Sequence, residues 1–254
     1  MVRVIVTRPA AQAADWVIAL HARQLDAVAL PLIGIAAVEE PAPLLAAWRA
    51  LVGYRLVMFV SANAAHHFFA LQPRGQTWPA SLWAASPGPG TTRALIGLGV
   101  PAAQIIEPPA GAPQFDSESL WLQLQRQDWQ GAEVLIVRGD GGRDWLADML
   151  GRHGARVTHL AAYRRTVPQF DAGEQAVLLA ALGAPAEHLW FFSSSEAIAH
   201  LAALVPAGTG WRHAQALATH PRIAAKATQL GFARVIEARP ALDDVIACIQ
   251  SIRP

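Results

Sequence analysis

Apolar and polar positions follow two alternating patterns along the chain. Short runs rich in β-branched or aromatic residues recur, and most are followed by Ala-rich or amphipathic stretches with helical spacing. Because these runs lack strict alternation, they are typical of strands that helices cover on both faces. The order predicts an α/β fold with parallel sheets flanked by helices. The strand-like runs are VRVIVT, AVALP, RLVMFV, SLWAAS, QIIE, EVLIVR, ARVTHLAAY, HLWFF, AQALAT and ARVIEA.

The chain also repeats itself at a nearly constant offset of about 132 residues. The stretch FVSANAAHHFFAL around Ser61 resembles FFSSSEAIAHLAAL around Ser193. GPGTTRALIGLGV aligns with HPRIAAKATQLGF, so that Pro89 matches Pro221 and Gly99 matches Gly231. VIVTR near the start matches VLIVR in the middle. Ala-rich helices can align by chance, but the Ser, Pro and Gly landmarks favour two similar α/β halves.

Two segments have the composition of a crossing point between domains. PLIGIAAVEEPAP and LAAYRRTVPQF each combine an extended run with prolines. A single cut near residues 110–114 is the simpler alternative. The two crossing segments instead predict that the chain leaves a first domain near Gly34, builds a second domain and returns to the first near Val167.

Composition restricts the function classes. With 254 residues, 53% hydrophobic and 15% charged, the chain can bury one large core or two ordinary ones. A net charge of +1 argues against a nucleic-acid surface, which needs clustered cations. The first residues lack the apolar region of a signal peptide, and no apolar run has the length of a membrane span. The single cysteine, Cys248, fits a reducing compartment. We therefore expect a cytoplasmic protein without nucleic-acid or membrane partners.

The stretch VLIVRGDGGRDWLADML predicts a strand that passes directly into a helix. Glycines at such a turn let backbone N–H groups approach an anion, and a helix N-terminus adds partial positive charge. Gly139, Gly141 and Gly142 do not have the GxGxxG spacing, so a nucleotide phosphate is a poor match. The alternative is a tight turn in which Asp140 caps the helix and Arg143 is a solvated residue of its first turn.

Hydroxyl and amide side chains follow other predicted strands. At these positions a side chain either caps a helix or binds a ligand carboxylate, and open α/β sheets place ligands at the carboxyl ends of strands. His220, Arg222 and Lys226 add a cationic cluster at one such end, although a capped surface helix is the simpler interpretation. The hydroxyl and amide residues are Ser61, Asn63, Thr91, Ser193, Ser194 and Ser195.

Two kinds of catalytic site are disfavoured. His66 and His67 are adjacent, so on a helix they point in different directions and cannot chelate a metal together. Neither SANA nor SSSE is a nucleophile elbow, and no Ser-His-Asp set is evident. We therefore predict neither a metal site nor a hydrolase.

An ordered set of short stretches resembles the uroporphyrinogen-III synthase family across almost the whole chain. The stretches are VIVTRP, LP, VMFVSANA, GPGT, DSESL, VLIVRGDGGRDWLADML, GARVTHLAAYRR, FFSSSEA and THPRIAAKATQLGF. Two positions depart from the family pattern. Ala62 stands where proline is frequent, and Trp145 stands where a smaller aliphatic residue is common.

The resemblance implies two similar α/β domains joined by a two-stranded linker, with the active site in the interdomain cleft. The first domain would combine residues 1–34 with 169–254, the second would be residues 38–162, and the linker segments would be residues 35–37 and 163–168, in agreement with the two crossing segments. It also implies a cyclising hydro-lyase of haem and sirohaem biosynthesis. The reaction closes hydroxymethylbilane, inverts its terminal pyrrole ring and loses water, giving uroporphyrinogen III. The resemblance implies no cofactor and no metal. It further implies a monomer that takes a small-molecule tetrapyrrole substrate, with transient contact with hydroxymethylbilane synthase.

The resemblance also implies a set of site residues. Tyr163, in LAAYRR, is the candidate donor to the departing hydroxyl, and the alternative is that it packs the linker and bonds to backbone. A noncatalytic bilobed tetrapyrrole-binding or anion-binding module would use the same cleft, and a flavodoxin-like flavin protein is a third alternative. The groups implied for the substrate carboxylates are Arg8, Ser61, Asn63, Thr91, Ser117, Arg138, Gly139, Gly141, Gly142, Ser193, Ser194, Ser195, His220 and Arg222.

Overall fold

Strands and helices alternate along the chain in the computed structural model, which describes residues 2–252. The strands are β1 (Arg3–Val6), β2 (Ala27–Ala29), β3 (Gly34–Ala37), β4 (Leu56–Phe59), β5 (Trp83–Ala85), β6 (Ile105–Ile106), β7 (Glu133–Gly139), β8 (Arg156–Thr166), β9 (His188–Phe192), β10 (Gln215–Ala218) and β11 (Arg234–Glu237). The helices are α1 (Ala10–His21), α2 (Ala42–Arg49), α3 (Ala62–Phe69), α4 (Pro89–Gly97), α5 (Ser117–Leu124), α6 (Trp145–Arg152), α7 (Ala172–Gly183), α8 (Ser195–Leu204), α9 (Pro221–Leu230) and α10 (Leu242–Ile252).

Each strand-like run of the sequence contains a strand, so the α/β prediction is confirmed. The structure adds β3, which lies in one of the two proline-containing crossing segments. It also extends β8 beyond the predicted run as far as Thr166. Residues 35–37 and 163–166 thus lie in strands, and the assignment of 35–37 and 163–168 as linkers stays a prediction.

The chain divides into two compact units, one formed by Met1–Gly34 and Thr166–Pro254 and the other by Ile35–Arg165. The sheet of the first unit has the strand order β11-β10-β9-β1-β2, and its neighbouring strands are parallel. The second sheet has the order β3-β8-β7-β4-β5-β6, and the pairs from β8 to β6 are parallel.

The internal repeat is visible in these strand orders. The series β11-β10-β9-β1-β2 corresponds to β6-β5-β4-β7-β8, and β3 is an addition to the second sheet. The equivalent helices α4 and α9 both have proline in their first turn. Both are followed by a glycine with positive φ, +97° at Gly99 and +105° at Gly231, a conformation that favours glycine. The prediction of two similar α/β units is therefore confirmed.

The sheet of the second unit is buried on both faces. On one face, Phe59 and Val137 pack with Trp48 of α2 and Phe68 of α3, and the Trp48 indole N–H donates to the Phe68 carbonyl at 2.8 Å. On the other face, β4 and β7 residues pack against apolar residues of α5 and α6, including Leu120. Because helices cover both faces, candidate ligand groups are confined to the ends of the strands.

The first unit is built in the same way. Val4 of β1 and Phe191 of β9 pack with Leu20 of α1 and Val245 of α10. Helix α7 begins with a capping box, in which the Asp171 carboxylate accepts from the backbone N–H of the third helical residue. This local signal explains why α7 begins where it does. The carboxyl ends of β1, β9 and β10 meet at one edge of the sheet, because the three strands are parallel neighbours.

Candidate functional site

Tyr163 lies across the carboxyl end of the second sheet. It belongs to β8 and pairs with Gly139 of β7 just beyond a bulge between Arg138 and Gly139. Its side chain is 1% exposed and belongs to the core that faces α3. Its hydroxyl lies 3.2 Å from the hydroxyl of Ser61, which follows β4. Because β7 separates β8 from β4, the phenol must cross β7 to make this contact.

Gly139 makes this crossing possible. A Cβ atom built on Gly139 would lie 3.1 Å from two ring carbons of Tyr163 and 3.4 Å from its hydroxyl. This separation is tighter than ordinary carbon contacts, so any side chain here would displace the ring. The structure thus gives Gly139 a steric role beside Tyr163. A contribution of its N–H group to anion binding stays a prediction.

Ser61 joins the phenol to the start of a helix. It is the N-cap of α3, and its hydroxyl accepts from the backbone N–H of Ala64 at 3.2 Å. Serine at this position satisfies one of the N–H groups that a helix start leaves without a backbone partner. The capping interpretation of Ser61 is therefore confirmed. Asn63 follows in the first turn of the same helix and is half-buried.

Two ionisable side chains surround the Tyr163 phenol. The Arg165 guanidinium donates to the Tyr163 hydroxyl at 3.5 Å and lies 5.9 Å from the ring centroid. The His67 ring stacks on the phenol with centroids 5.8 Å apart. Burial lowers the pKa of His67, and the neighbouring His66 lowers it further, which favours the neutral ring. The sequence predicted that cations lie near this phenol, because Arg164 and Arg165 follow Tyr163, but it did not name Arg165 as a site residue.

The Gly-rich segment after β7 differs from its predicted form. Helix α6 begins only at Trp145, so residues 140–144 separate the strand from the helix. Asp140 does not cap the helix, because its carboxylate accepts from the backbone N–H of Arg165 at 3.3 Å. Gly141 and Gly142 lie in this connection, and Gly142 has a φ of +149° that favours glycine. The prediction of a direct strand-to-helix turn, including its Asp140-capped alternative, is wrong.

Carboxylates engage both arginines of this segment. Arg138 forms an ion pair with Asp144, and His159 lies 3.4 Å from the same carboxylate oxygen. The hydrogen bond from Arg138 lowers the pKa of Asp144, and the charges of Arg138 and His159 lower it further. Arg143 precedes α6, whereas the sequence placed it in the first turn, and it pairs with Glu118 of α5. That hydrogen bond lowers the pKa of the Glu118 carboxyl.

Further polar groups lie at the carboxyl ends of β5 and β6. Thr91, in the first turn of α4, is 7% exposed. The buried Ser86 hydroxyl lies 2.6 Å from that of Thr92, which donates to the Glu107 carboxylate at 2.6 Å. Sequence reasoning missed this chain of three side chains, although Ser86 is the last residue of the predicted strand SLWAAS.

Ser117, in contrast, lies at the start of α5. It is the first residue of that helix, directly after the N-cap Asp116, whose carboxylate accepts from the N–H of Ser119 at 2.9 Å.

The corresponding edge of the first unit carries hydroxyl groups and cations. The Arg8 guanidinium donates to Gln12 at 3.2 Å and lies 5.1 Å from the Trp16 ring centroid. Ser194 is the N-cap of α8 and accepts from the N–H of Glu196 at 3.1 Å, with Ser193 before it and Ser195 opening the helix. Sequence reasoning missed the buried Thr7, whose hydroxyl donates to the Phe191 carbonyl at 2.7 Å.

The basic segment of the first unit is a capped helix start. His220 is the N-cap of α9, and its Nδ1 accepts from the backbone N–H of Arg222 at 3.1 Å. This bond requires an unprotonated Nδ1, so the imidazole acts here as an acceptor. The Lys226 ammonium donates to Gln229 at 3.2 Å. The capping interpretation is confirmed, and a role for His220 and Arg222 in substrate binding stays a prediction.

The fold and the strand-end groups define a class of protein with two repeated α/β units. Each unit carries hydroxyl and cationic side chains at the carboxyl edge of a parallel sheet. Among residues 2–252, no helix is both long enough and apolar enough to cross a membrane. The chain belongs to the uroporphyrinogen-III synthase family, because the family model described as "Uroporphyrinogen-III synthase HemD" matches residues 14–247. The resemblance seen in the sequence is thereby confirmed.

Individual relatives agree with the family assignment. The chain is 31% identical to the uroporphyrinogen-III synthase of Salmonella typhimurium over 176 residues, which cover 68% of this chain and 69% of the relative. It is 28% identical to the Escherichia coli protein of the same name over 251 residues, covering 96% and 97% of the two chains.

Solved structures share the fold. A mutant uroporphyrinogen III synthase from Thermus thermophilus superposes with a TM-score of 0.58 at 17% identity, covering 99% of this chain and 98% of that one. The Helicobacter pylori uroporphyrinogen-III synthetase gives 0.58 at 14% identity and full coverage of both chains. At these identities the likeness supports the fold alone.

Proposed function

We propose that this chain converts hydroxymethylbilane to uroporphyrinogen III, by ring closure with inversion of the terminal pyrrole ring and loss of water. The observation that carries the proposal is the phenol of Tyr163, which lies between Ser61 and Arg165 at the carboxyl edge of a parallel sheet. The family match and the names of the Salmonella and Escherichia relatives support the choice of reaction.

The role of Tyr163 follows from the bond that must break. The C–O bond of the terminal hydroxymethyl group breaks, and the oxygen leaves as water once it has received a proton. The Tyr163 phenol donates that proton, and the adjacent Arg165 guanidinium stabilises the negative charge left on the phenol oxygen. The methylene carbon then bonds to the α-carbon of the terminal ring that already carries the neighbouring bridge. The bond from that α-carbon to the bridge breaks, and the bridge bonds to the free α-carbon of the same ring, which inverts the ring. The free α-carbon releases a proton, and solvent restores the phenol. The reaction is neither an oxidation nor a reduction, so it requires no redox cofactor.

The carboxylates of the substrate require several anchoring groups. Arginine side chains and helix-start N–H groups bind carboxylates by charge-assisted hydrogen bonds. Arg138 already holds the Asp144 carboxylate, so a substrate carboxylate would replace Asp144 as its partner. Arg8, with the hydroxyl groups of Ser193 and Ser194, offers an anchoring group in the other unit. In this proposal most of the rate enhancement comes from holding the flexible bilane in one conformation.

Three further features belong to the same proposal. The chain acts as a cyclising lyase in the cytoplasm. It works as a monomer, as the resemblance to the family implies. It receives the bilane from hydroxymethylbilane synthase, since a substrate that closes spontaneously must be captured soon after its release.

The test is an isomer assay. Hydroxymethylbilane is generated enzymatically, this protein is added, and the product is oxidised and separated chromatographically. We expect the type III isomer to replace the type I isomer, which forms by spontaneous closure in a control without the protein. If only type I forms at every protein concentration, this chain is not a synthase. A binding module would bind the bilane or the product and leave the isomer ratio unchanged.

A further inference from the structure

The Ser61 hydroxyl has two partners with different chemistry. It accepts from the Ala64 backbone N–H at 3.2 Å, and it lies 3.2 Å from the Tyr163 hydroxyl. A serine hydroxyl has one hydrogen and two lone pairs. Since Ala64 uses a lone pair, the hydrogen of Ser61 is available for a bond to the phenol. A hydroxyl that accepts a hydrogen bond is polarised and becomes a better donor.

The Tyr163 oxygen is also suited to accept. A guanidinium group can only donate, so the contact with Arg165 makes the phenol oxygen an acceptor. If Ser61 donates as well, both bonds end on the phenol oxygen, and the phenol hydrogen points away from both partners. If Tyr163 donated to Ser61 instead, its hydrogen would be engaged and unavailable to a substrate.

We propose that Ser61 is a positioning residue whose hydroxyl donates to the Tyr163 oxygen and thereby directs the phenol hydrogen toward the departing hydroxyl of the substrate. The inference rests on the proposed function. It gives Ser61 a role through Tyr163, in place of direct contact with a substrate carboxylate. As the phenol loses its proton, the same hydrogen bond stabilises the phenolate, assisted by the helix start at which Ser61 lies.

Two variants separate this role from helix capping. Ser61→Gly and Ser61→Ala both remove the hydroxyl, but glycine is tolerated at an N-cap and alanine is not. We expect both variants to lower kcat by about 10-fold, below the range typical of losing a general acid itself, while KM changes by less than about 2-fold. The melting temperature should fall by about 2–4 °C in the alanine variant and by less in the glycine variant. Ser61→Thr keeps the hydroxyl and should retain kcat within about 3-fold.

A double-mutant cycle tests whether Ser61 acts through the phenol. In a Tyr163→Phe background, Ser61→Gly should lower kcat by no more than about 2-fold, because the group that it positions is already absent. Asp171→Ala is the matched control, since it removes the N-cap of α7 and should lower the melting temperature without changing kcat. Circular dichroism verifies that each variant is folded.

The outcomes separate this inference from the proposed function. If the parent makes the type III isomer while Ser61→Gly retains the parent kcat, or raises only KM, Ser61 does not position Tyr163. An equal loss of kcat from Ser61→Gly in both backgrounds would also overturn the inference. If the parent yields only the type I isomer, the proposed function fails and the inference fails with it.

Discussion

The hydroxyl oxygens of Ser61 and Tyr163 lie 3.2 Å apart although the two residues are 102 positions apart in the chain. The contact exists because β7 presents Gly139, which has no side chain, at the point where the phenol crosses it. Ser61, between β4 and α3, thus connects Tyr163 of β8 to the backbone N–H of Ala64 in the first turn of α3. The predictions below test these contacts and their charged neighbours.

Replacing Tyr163 with phenylalanine tests the proton donor. The ring and its packing remain, so the free energy of unfolding should change by no more than about 1 kcal/mol, the worth of an ordinary hydrogen bond. We expect kcat to fall by roughly 10 to 100-fold, with a smaller change in KM. Steady-state kinetics with the bilane and thermal unfolding measure both quantities. A folded variant with the parent kcat would make Tyr163 a structural residue.

Replacing Gly139 with alanine tests the crossing of β7. The new methyl group would lie 3.1 Å from two ring carbons of Tyr163, so the ring must shift by a few tenths of an ångström. We expect a destabilisation of about 1–2 kcal/mol, typical of overpacking, and a kcat reduced by about 10-fold.

Gly151→Ala is the matched control for this change. Gly151 lies within α6, and apart from its chain neighbours and the nearby backbone of the same helix no described heavy atom is within 4 Å of a Cβ built there. Alanine should stabilise this helix by about 0.5–1 kcal/mol and leave kcat unchanged. If Gly139→Ala and Gly151→Ala change the free energy of unfolding and kcat equally, Gly139 does not have the steric role proposed for it.

Replacing Arg138 with glutamine tests whether this arginine binds a substrate carboxylate. Loss of a charge-assisted hydrogen bond should raise KM by about 10-fold. Asp144→Asn removes the competing carboxylate and should lower KM by a few-fold, by roughly the worth of a surface ion pair.

Arg156→Gln removes the same charge at the opposite end of the strands, where Arg156 pairs with Glu133, and should leave KM unchanged. Equal KM values for the Arg138 and Arg156 variants would show that only overall charge matters. The two variants should therefore be compared at the same ionic strength.

The stability of the protein should depend on pH through His67. Burial and the charge of His66 lower its pKa below the ordinary value of 6.5, so the unfolded chain takes up the proton first. The contribution of neutral His67 to the free energy of unfolding is complete above about pH 6.5 and is lost as the pH falls below that value. His67→Asn should therefore lose less stability than the parent between about pH 7 and 5 in denaturant unfolding.

The His67→Asn variant should still lose stability at lower pH, through the carboxyl group of Glu118. The hydrogen bond from Arg143 lowers the pKa of Glu118 below 4.5, so this contribution is present above that pH and lost below it. If the free energy of unfolding changes equally with pH in the parent and in His67→Asn above pH 5, the pH dependence in that range does not come from His67.

Local signals were sufficient for every described strand except β3. Each apolar run that predicted a strand contains one, because strand formation depends on short-range periodicity and on flanking turn residues. The repeat was legible from landmarks such as Pro89 and Pro221, which open equivalent helices. The caps at Ser61 and Ser194 were also predictable, since a cap involves only the next few residues.

The sequence by itself thus determined the fold class, the repeat and the residue types at the strand ends. Only the tertiary structure decided which of these groups meet. The contact between Ser61 and Tyr163 depends on the order β8-β7-β4 and on a bulge that shifts the register at Gly139. The pairing of Arg138 with Asp144 depends on how far α6 begins beyond β7. Strand order and register are set by the packing of whole sheets, and a one-residue shift reverses the face on which a side chain lies.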